Sequence, residues 1–276
     1  MDINSLFSVK DKVVLVTGGA KGLGLMISTG FVLNGAKVYI SSRDAQACAS
    51  AAASLTSLGA SSGSGGCAVA LPADLSSHSE CLRLASELAA QGETHLNVLV
   101  NNSGATWGAT YDDYPDNAWT KLLTLNLQRV FTLTQALTPL LEAAGQKSRS
   151  ADGVVTDPGR VIHIGSIDGL RVPVMATYAY SASKAGLHHL SRHLAAELGP
   201  RGVTSNTLAC GPFPSKMMAA TLRDFGDEIK AANPMGRIGT PEDAAGACLF
   251  LASRAGAFVN GATLALDGGV ALMAKI

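Results

Sequence analysis

The strongest constraint on the fold is the alternation of short apolar runs with longer segments of helical period along the whole chain. The runs are rich in β-branched residues, and most are apolar at every position rather than at every second one. Continuous apolar runs are typical of strands that are buried on both faces of a parallel sheet. The pattern therefore predicts an α/β fold, a doubly wound parallel sheet of about seven strands flanked by helices.

The predicted elements follow one another without a long linker. Strands are expected at residues 13–16, 37–40, 68–71, 97–100, 160–164, 203–208 and 263–266. Helices are expected near residues 22–34, 44–58, 77–91, 117–144, 179–198 and 241–253. We therefore expect a single domain over residues 1–276, in which the segment at about 211–233 forms a mobile helical flap over the substrate site.

Charge and cysteine content argue against several classes of protein. The 21 basic and 21 acidic residues cancel, so neither nucleic acid nor an anionic membrane is an expected partner. The sequence has no run of about 18 apolar residues and no pattern of a secretory signal. Its five cysteines contain no C-x-x-C pair. Reduced thiols and a cytoplasmic location are therefore expected.

A glycine-rich turn joins the first predicted strand to the first long helix. In such a turn, free N–H groups and the helix dipole can hold a pyrophosphate. The spacing is Gly-x-x-x-Gly-x-Gly rather than the common Gly-x-Gly-x-x-Gly, and a tight connection is the alternative interpretation. The position directly after the first strand favours nucleotide binding. The contacts are expected from Thr17, Gly18, Lys21, Gly22, Leu23 and Gly24.

The end of the second predicted strand indicates which nucleotide binds. In proteins that bind NAD, an acidic residue at this place normally holds the ribose 2′-hydroxyl. Here the strand ends in Ser42 and Arg43, and a guanidinium, together with Lys21, suits the dianionic 2′-phosphate of NADP. The alternative is that these are surface charges and that Asp44 serves NAD, although Asp44 is better placed to start the next helix. The sequence thus predicts NADP(H).

A tyrosine and a lysine lie four residues apart at the start of a predicted helix. Tyr180 and Lys184 therefore share one helix face. Because an ammonium favours the phenolate, we expect Lys184 to lower the tyrosine pKa and allow proton exchange with a substrate oxygen near neutral pH. Ser166 and the segment Asn101-Asn102-Ser103-Gly104 follow two other strands. Both lie at the carboxyl edge, where open α/β sheets bind their ligands.

In this chain order, the glycine-rich turn, the asparagine turn, Ser166 and the Tyr/Lys pair resemble the short-chain dehydrogenase/reductase family, whose sheet is of the Rossmann type. The resemblance extends from Thr17 to the segment 267–269. It implies that Tyr180 is the general acid in carbonyl reduction. Lys184 would adjust the pKa of Tyr180 and hold the ribose of the nicotinamide. Ser166 would donate a hydrogen bond to the substrate carbonyl.

The resemblance also implies further site residues and an assembly. Asn126 would hold the water of a proton relay. Cofactor contacts are implied for Asp74, Leu75, Asn102, Gly104, Gly211, Phe213 and Ser215. The sequence departs from the family pattern at two places, where Ser103 replaces an alanine and Cys210 replaces the proline of a Pro-Gly pair. A homotetramer, or a homodimer, is implied.

Short segments in variable parts of the chain look closest to reductases of the β-ketoacyl type, in particular those linked to rhamnolipid synthesis. These segments are 42–45, 106–109, 178–180 and 213–215. An apolar substrate pocket is expected from Trp107, Met175, Phe213, Met217 and Met218. The expected function is NADPH-dependent reduction of a 3-ketoacyl or other lipophilic ketone to a secondary alcohol.

Other functions remain alternatives at this point. The same residues would serve the oxidation of a secondary alcohol or steroid, and a fold of this kind could be a non-catalytic NADP sensor or scaffold. Serine hydrolysis is disfavoured because His163 and Ser166 would point to opposite faces of a continuing strand. A zinc site at His189 and His193 is disfavoured because the pair lacks the glutamate of His-Glu-x-x-His. No metal is expected.

Overall fold

The computed structural model describes residues 2–273 and contains one seven-stranded sheet. The strands are β1 Val13–Thr17, β2 Lys37–Ser41, β3 Cys67–Ala70, β4 Val98–Asn101, β5 Gly159–Ile164, β6 Val203–Cys210 and β7 Thr263–Leu266. Their order in the sheet is β3-β2-β1-β4-β5-β6-β7, and every neighbouring pair is parallel. The predicted doubly wound sheet is confirmed.

Helices connect the strands. They are α1 Ile3–Leu6, α2 Gly22–Leu33, α3 Ala45–Ser61, α4 His78–Ala90, α5 Asp116–Leu123, α6 Arg129–Gln146, α7 Tyr178–Leu198, α8 Ala219–Ala231 and α9 Pro241–Ala252. Within residues 2–273, none of these helices combines the length and the hydropathy that a membrane crossing requires.

Two hydrophobic cores hold the helices on the two faces of the sheet. One contains Phe31 of α2, Leu55 of α3 and Leu251 of α9, and the other contains residues of α4, α6 and α7. Consecutive residues of β1 belong to different cores, with Val14 in the first and Leu15 in the second. Burial on both faces explains why the strand sequences are apolar throughout.

The strand order changes direction between β1 and β4. Residues Val14 to Val16 pair with Val98 to Val100 in register, so the two strands end side by side. Ligands of open α/β sheets bind at the carboxyl edge of such a switch point. The turns after β1, β4, β5 and β6, which carry most of the predicted site, all lie at this edge.

The predicted helix over 117–144 is interrupted in the structure. α5 ends at Leu123, a π-helical turn spans Thr124–Gln128, and α6 begins at Arg129. A π turn holds one residue more than an α turn and is frequent at functional sites. Hydrophobic periodicity is too coarse to detect one extra residue, so the sequence predicted a single helix.

The predicted flap contains helix α8. None of the residues of α8 is buried, and Met217 just before it is 48% exposed. The helical content of the segment is as predicted. Its mobility stays a prediction.

Candidate active site

Thr17 at the end of β1 joins the two strands at the switch point. Its Oγ1 accepts hydrogen bonds from the N–H groups of Asn102 at 2.9 Å and Ser103 at 3.0 Å. The Asn102 side chain donates to the Thr17 carbonyl at 2.8 Å. These bonds hold the asparagine turn against the glycine-rich turn, so two predicted cofactor-binding segments form one surface.

The glycine-rich turn packs closely against itself and against the asparagine turn because two of its residues have no side chain. Gly18 has a φ of 66°, and a methyl group on it would lie 2.7 Å from Nδ2 of Asn102. A methyl group on Gly24 would overlap the carbonyl of Gly18. Among the described residues, no side chain caps the first turn of α2, so its N–H groups remain available. This surface fits a cofactor pyrophosphate.

Ser215 lies against the same turn. A methyl group on Gly22 would be 3.2 Å from Cβ of Ser215, so the segment after β6 closes over the glycine-rich turn. The Gly211 N–H donates to the Leu266 carbonyl at 3.0 Å. Two segments far apart in sequence, both predicted to bind the cofactor, are therefore neighbours in space.

The charged groups after β2 are arranged as the sequence suggested. Asp44 caps α3, because its side chain accepts from the N–H of Ala47 at 2.9 Å. It also accepts from Nζ of Lys21 at 3.0 Å, while the hydroxyl of Ser42 donates to the Asp44 carbonyl at 3.3 Å. Arg43 is exposed. The Asp44 carboxylate already pairs with Lys21 and with the cap of α3, whereas Arg43 has no ion-pair partner among residues 2–273 and presents its positive charge after β2.

Asp74 and Leu75 follow β3 at the same edge. The Asp74 carboxylate accepts from the backbone N–H and the hydroxyl of Ser76 at 3.0 and 2.8 Å. Leu75 is buried and lines a small cavity with Thr17 and Ser103. The structure thus brings Leu75 to the switch point, next to the predicted cofactor site.

Lys184 is fully enclosed beneath the site. Its Nζ donates to the carbonyl of Ile164 at 2.7 Å and lies 5.7 Å from the centre of the Tyr180 ring. Burial lowers the pKa of Lys184 to about 8. α7 therefore carries Tyr180 and Lys184 on one face, as their spacing predicted, and anchors the lysine on the end of β5.

Tyr180 differs from expectation in its ionisation. Burial raises the pKa of Tyr180 to about 12, and a hydrogen bond with Ser166 opposes this shift. The expected lowering by Lys184 is not observed, because removal of the phenol from water dominates and the ammonium is directed at a backbone carbonyl. At neutral pH the phenol is therefore protonated and can act as an acid.

Asn126 owes its position to the π turn. Its amide accepts from the N–H of Ala105 at 2.9 Å and donates to the carbonyl of Ala105 at 2.9 Å and to the Ser183 hydroxyl at 3.0 Å. A methyl group on Gly104 would lie 3.2 Å from the Asn126 carbonyl oxygen and 3.7 Å from Nζ of Lys184. Asn126, Gly104 and Lys184 therefore converge, although they come from three different segments.

Ser166 follows β5, and its Oγ accepts from the N–H of Asp168 at 3.2 Å. The ring of His163 contacts Asn101 at 3.3 Å and Ser205 at 3.1 Å, and it makes no hydrogen bond to Ser166 among the described residues. Burial lowers the pKa of His163 to about 3. This arrangement supports the argument against a serine hydrolase.

Four of the five predicted pocket residues fall into two groups, and the fifth, Met218, is half-buried at the start of α8. Trp107, Met175 and Met217 are 39%, 54% and 48% exposed, and we call these three residues the rim. Phe213 is buried in the core that includes Cys210, with its ring against Gly239. A buried ring contributes to packing, so Phe213 stands apart from the rim.

Sequence reasoning missed Tyr114 and Ser183. The Tyr114 hydroxyl accepts from the N–H of Ala179 at 3.3 Å and donates to the Trp107 carbonyl at 3.4 Å, which ties the segment before α5 to the start of α7. The Ser183 hydroxyl accepts from Asn126. The bonds of Tyr114 to Ala179 and of Asn126 to Ser183 join residues more than 50 positions apart, so no local pattern could have revealed them.

The comparisons with known proteins agree with this geometry. A family model described as "Enoyl-(Acyl carrier protein) reductase" matches residues 18–271. The chain belongs to the short-chain dehydrogenase/reductase family. It is accordingly an oxidoreductase of CH–OH and C=O groups, and the predicted family and enzyme class are confirmed.

One curated relative and one solved structure show a high similarity to this chain. The rhamnolipids biosynthesis 3-oxoacyl-[acyl-carrier-protein] reductase of Pseudomonas aeruginosa is 42% identical over 265 residues, which is 95% of this chain and 97% of the relative. The Pseudomonas aeruginosa RhlG/NADP active-site complex superposes with a TM-score of 0.87 at 41% identity, covering 97% of this chain and 99% of that one.

A more distant structure is a gluconate 5-dehydrogenase from Burkholderia cenocepacia in complex with NADP and tartrate. It has a TM-score of 0.83 at 27% identity and covers 99% of this chain and 100% of that one. Both solved structures of this dehydrogenase/reductase family contain NADP, in agreement with the cofactor prediction.

Proposed function

We propose that this protein uses NADPH to reduce a lipophilic ketone, of 3-oxoacyl or similar type, to a secondary alcohol. The observation that carries the proposal is the half-buried Tyr180 with its ring centre 5.7 Å from Nζ of Lys184, which is buried and anchored on the Ile164 carbonyl at the end of the strand that precedes Ser166. An acid at this position matches the needs of carbonyl reduction, because the oxygen must gain a proton as the alcohol forms.

Each side chain has a separate task in this proposal. Tyr180 gives its proton to the carbonyl oxygen, and Ser166 donates a hydrogen bond to the same oxygen and orients it. Asn126 and Ser183 hold a polar path beside Lys184, along which a water can return a proton to Tyr180. The nicotinamide, when bound, supplies the hydride to the carbonyl carbon.

NADPH is favoured over NADH by charge. Arg43 is exposed beside the glycine-rich turn, and the nearby Asp44 is occupied by Lys21 and by the cap of α3. A guanidinium binds a phosphate dianion through charge-assisted hydrogen bonds. The relatives in complex with NADP support the same choice.

The substrate class rests on the rim and on one relative. Trp107, Met175 and Met217 present apolar surface to solvent, which suits an apolar chain. The Pseudomonas aeruginosa relative is a 3-oxoacyl reductase. Oxidation of a secondary alcohol or a sugar acid is the second candidate, supported by the gluconate 5-dehydrogenase of the same fold.

The test is steady-state oxidation of NADPH with a panel of 3-oxoacyl thioesters, simple ketones and 5-ketogluconate, repeated with NADH. We expect the highest kcat/KM with NADPH and a 3-oxoacyl thioester. A preference for 5-ketogluconate would support the second candidate. Tight NADPH binding without turnover of any substrate would indicate a sensor or scaffold and contradict the proposal.

We also propose that the enzyme is a cytoplasmic homotetramer, with a homodimer as the alternative. All five cysteines are free, which is compatible with a reducing compartment, and Phe258 and Leu264 are exposed at and near the edge strand β7. Light scattering of the purified enzyme gives the assembly mass. A monomer at micromolar concentration would contradict the proposed assembly.

A further inference from the structure

His188 lies inside the segment that carries Ser166. The segment leaves β5 at Gly165 and turns back at Gly169. A methyl group on Gly165 would overlap Nε2 of His188, and one on Gly169 would lie 2.8 Å from its Cε1. His188 itself is 2% exposed. The backbone on both sides of Ser166 therefore closes on the imidazole ring.

The ring also makes a polar contact with this segment. The N–H of Ser166 donates to Nε2 of His188 at 3.4 Å. Burial lowers the pKa of His188 to about 4, with Lys184 and Arg192 adding to the shift. The ring is therefore neutral at physiological pH, and a neutral ring that accepts at Nε2 carries its proton on Nδ1.

His188 is the third member of a row on α7. Tyr180, Lys184 and His188 are spaced by four residues and share one face of the helix. The first donates the proton in the proposed reaction, and the second is anchored on β5. The third contacts the backbone of Ser166. Helix α7 thus carries Tyr180 and Lys184 and also contacts the backbone of Ser166.

We propose that His188 is a positioning residue that sets the location of the Ser166 hydroxyl relative to Tyr180. The proposal rests on the proposed function. The ring fills the space within the segment, and its Nε2 fixes the N–H of the residue that carries the hydroxyl. A displacement of about 1 Å at a reacting group can reduce the rate of an enzyme about 100-fold, so the contact has a direct effect on turnover.

Three variants separate the polar contact from simple packing. Gln places an acceptor where Nε2 lies, Asn is shorter by one methylene, and Leu fills the space without an acceptor. We expect His188→Asn and His188→Leu to lower kcat about 10- to 100-fold with NADPH affinity unchanged within about twofold. His188→Gln is expected to remain within about fivefold of the parent.

Ser191→Ala is the matched control. Ser191 lies three residues further along α7, is buried, and contacts the Ser205 hydroxyl at 3.0 Å rather than the Ser166 segment. We expect this variant to lower the melting temperature and leave kcat unchanged. Equal losses of kcat in the Gln, Asn and Leu variants, or a loss that follows the melting temperature across all four variants, would overturn the proposal.

The amide resonance of Ser166 gives a readout that is independent of turnover. The exchange of this amide with solvent deuterium is expected to stay slow in His188→Gln and to become faster in His188→Asn and His188→Leu. An unchanged exchange rate in all three variants overturns the proposal whatever the kinetics. A parent that reduces no ketone overturns the proposed function, and with it the catalytic consequence, while the resonance still reports the contact.

Discussion

The carboxyl edge of the sheet and the rim of the predicted pocket are built differently. At the edge, Thr17, Asn126 and Lys184 are buried, and each makes hydrogen bonds that cross between segments. The rim residues Trp107, Met175 and Met217 are exposed and lie on connecting segments. The groups that would perform the reaction are therefore enclosed and hydrogen-bonded, whereas the side chains expected to contact the substrate are open to solvent.

This difference indicates how a single fold can serve several substrates. Reaction groups need fixed geometry, which packed helices and strands provide. Loops at the surface can vary without disturbing that geometry. The chain is similar both to a 3-oxoacyl reductase and to a gluconate 5-dehydrogenase, which share the fold but are named for different substrates. We therefore expect substitutions at the edge and at the rim to have separate effects on the reaction.

The largest effect is expected from Tyr180→Phe. Loss of the phenolic proton should reduce kcat by about 10²- to 10⁴-fold, the usual contribution of positioned acid catalysis, while NADPH binding changes by no more than a few fold. Tyr178→Phe is the matched control, because Tyr178 is 40% exposed and two residues away on α7. Steady-state kinetics and a fluorescence titration with NADPH provide the measurements. Turnover near that of the parent would remove Tyr180 from the mechanism.

Lys184→Met should impair two properties at once. The side chain is buried on the Ile164 carbonyl, and the family resemblance gives it the nicotinamide ribose as well as Tyr180. We expect a lower kcat and a weaker affinity for NADPH. Lys230→Met, an exposed lysine paired with Asp227, controls for the loss of charge. A purely catalytic defect with unchanged NADPH affinity would contradict the ribose role.

Arg43→Ala should weaken NADPH by about 10- to 100-fold, since hydrogen bonds to charged groups contribute about 1.5–3 kcal/mol. NADH has no 2′-phosphate, so its kcat/KM should hardly change. The NADPH loss should be smaller at high salt, because screening already weakens the contact in the parent. Lys10→Ala is the control, because Lys10 is also exposed and precedes β1, away from the carboxyl edge. Equal losses with both cofactors would show that Arg43 is a structural or surface residue.

The pH profile should reflect Lys184 rather than Tyr180. Burial lowers the pKa of Lys184 to about 8 and raises that of Tyr180 to about 12. Lys184 therefore loses its positive charge first as pH rises, while Tyr180 keeps its proton. We expect kcat/KM for reduction to be level below pH about 8 and to decline above it. Lys184→Met should remove this decline, and a rise of reduction rate with pH would contradict the assignment.

The smallest effect is expected at the rim. Met217→Ala should change KM for long-chain substrates by a few fold, because the side chain is 48% exposed and truncation removes little buried area. Its kcat, NADPH affinity and melting temperature should stay near those of the parent. Met235→Ala, a methionine that is 61% exposed, is the control. A large fall in kcat would show that edge and rim are not separate.

Phe213 shows why the rim could not be listed from sequence alone. Its position after β6 suggested a pocket residue, but its ring is buried in the core next to Gly239. Residues in a loop segment carry no local sign of the direction in which a side chain points. The place of Phe213 after β6 is predictable from the chain order, whereas the direction of its side chain depends on packing.

The sequence by itself determined the layered sheet and the residues at its carboxyl edge. Apolar runs and helical periods are local properties, and parallel strands bring their ends together whatever the details of packing. This is why Thr17, Asn102, Ser166 and Tyr180 were predicted and lie at one edge.

Only the tertiary structure decided the finer chemistry. The π turn that turns Asn126 toward Ala105, the carbonyl that holds Lys184, the raised pKa of Tyr180 and the contact of His188 with Ser166 all depend on neighbours far away in sequence. Desolvation and hydrogen bonding are set by everything that surrounds a group. A sequence motif specifies the groups, and the packed fold sets their ionisation and their direction.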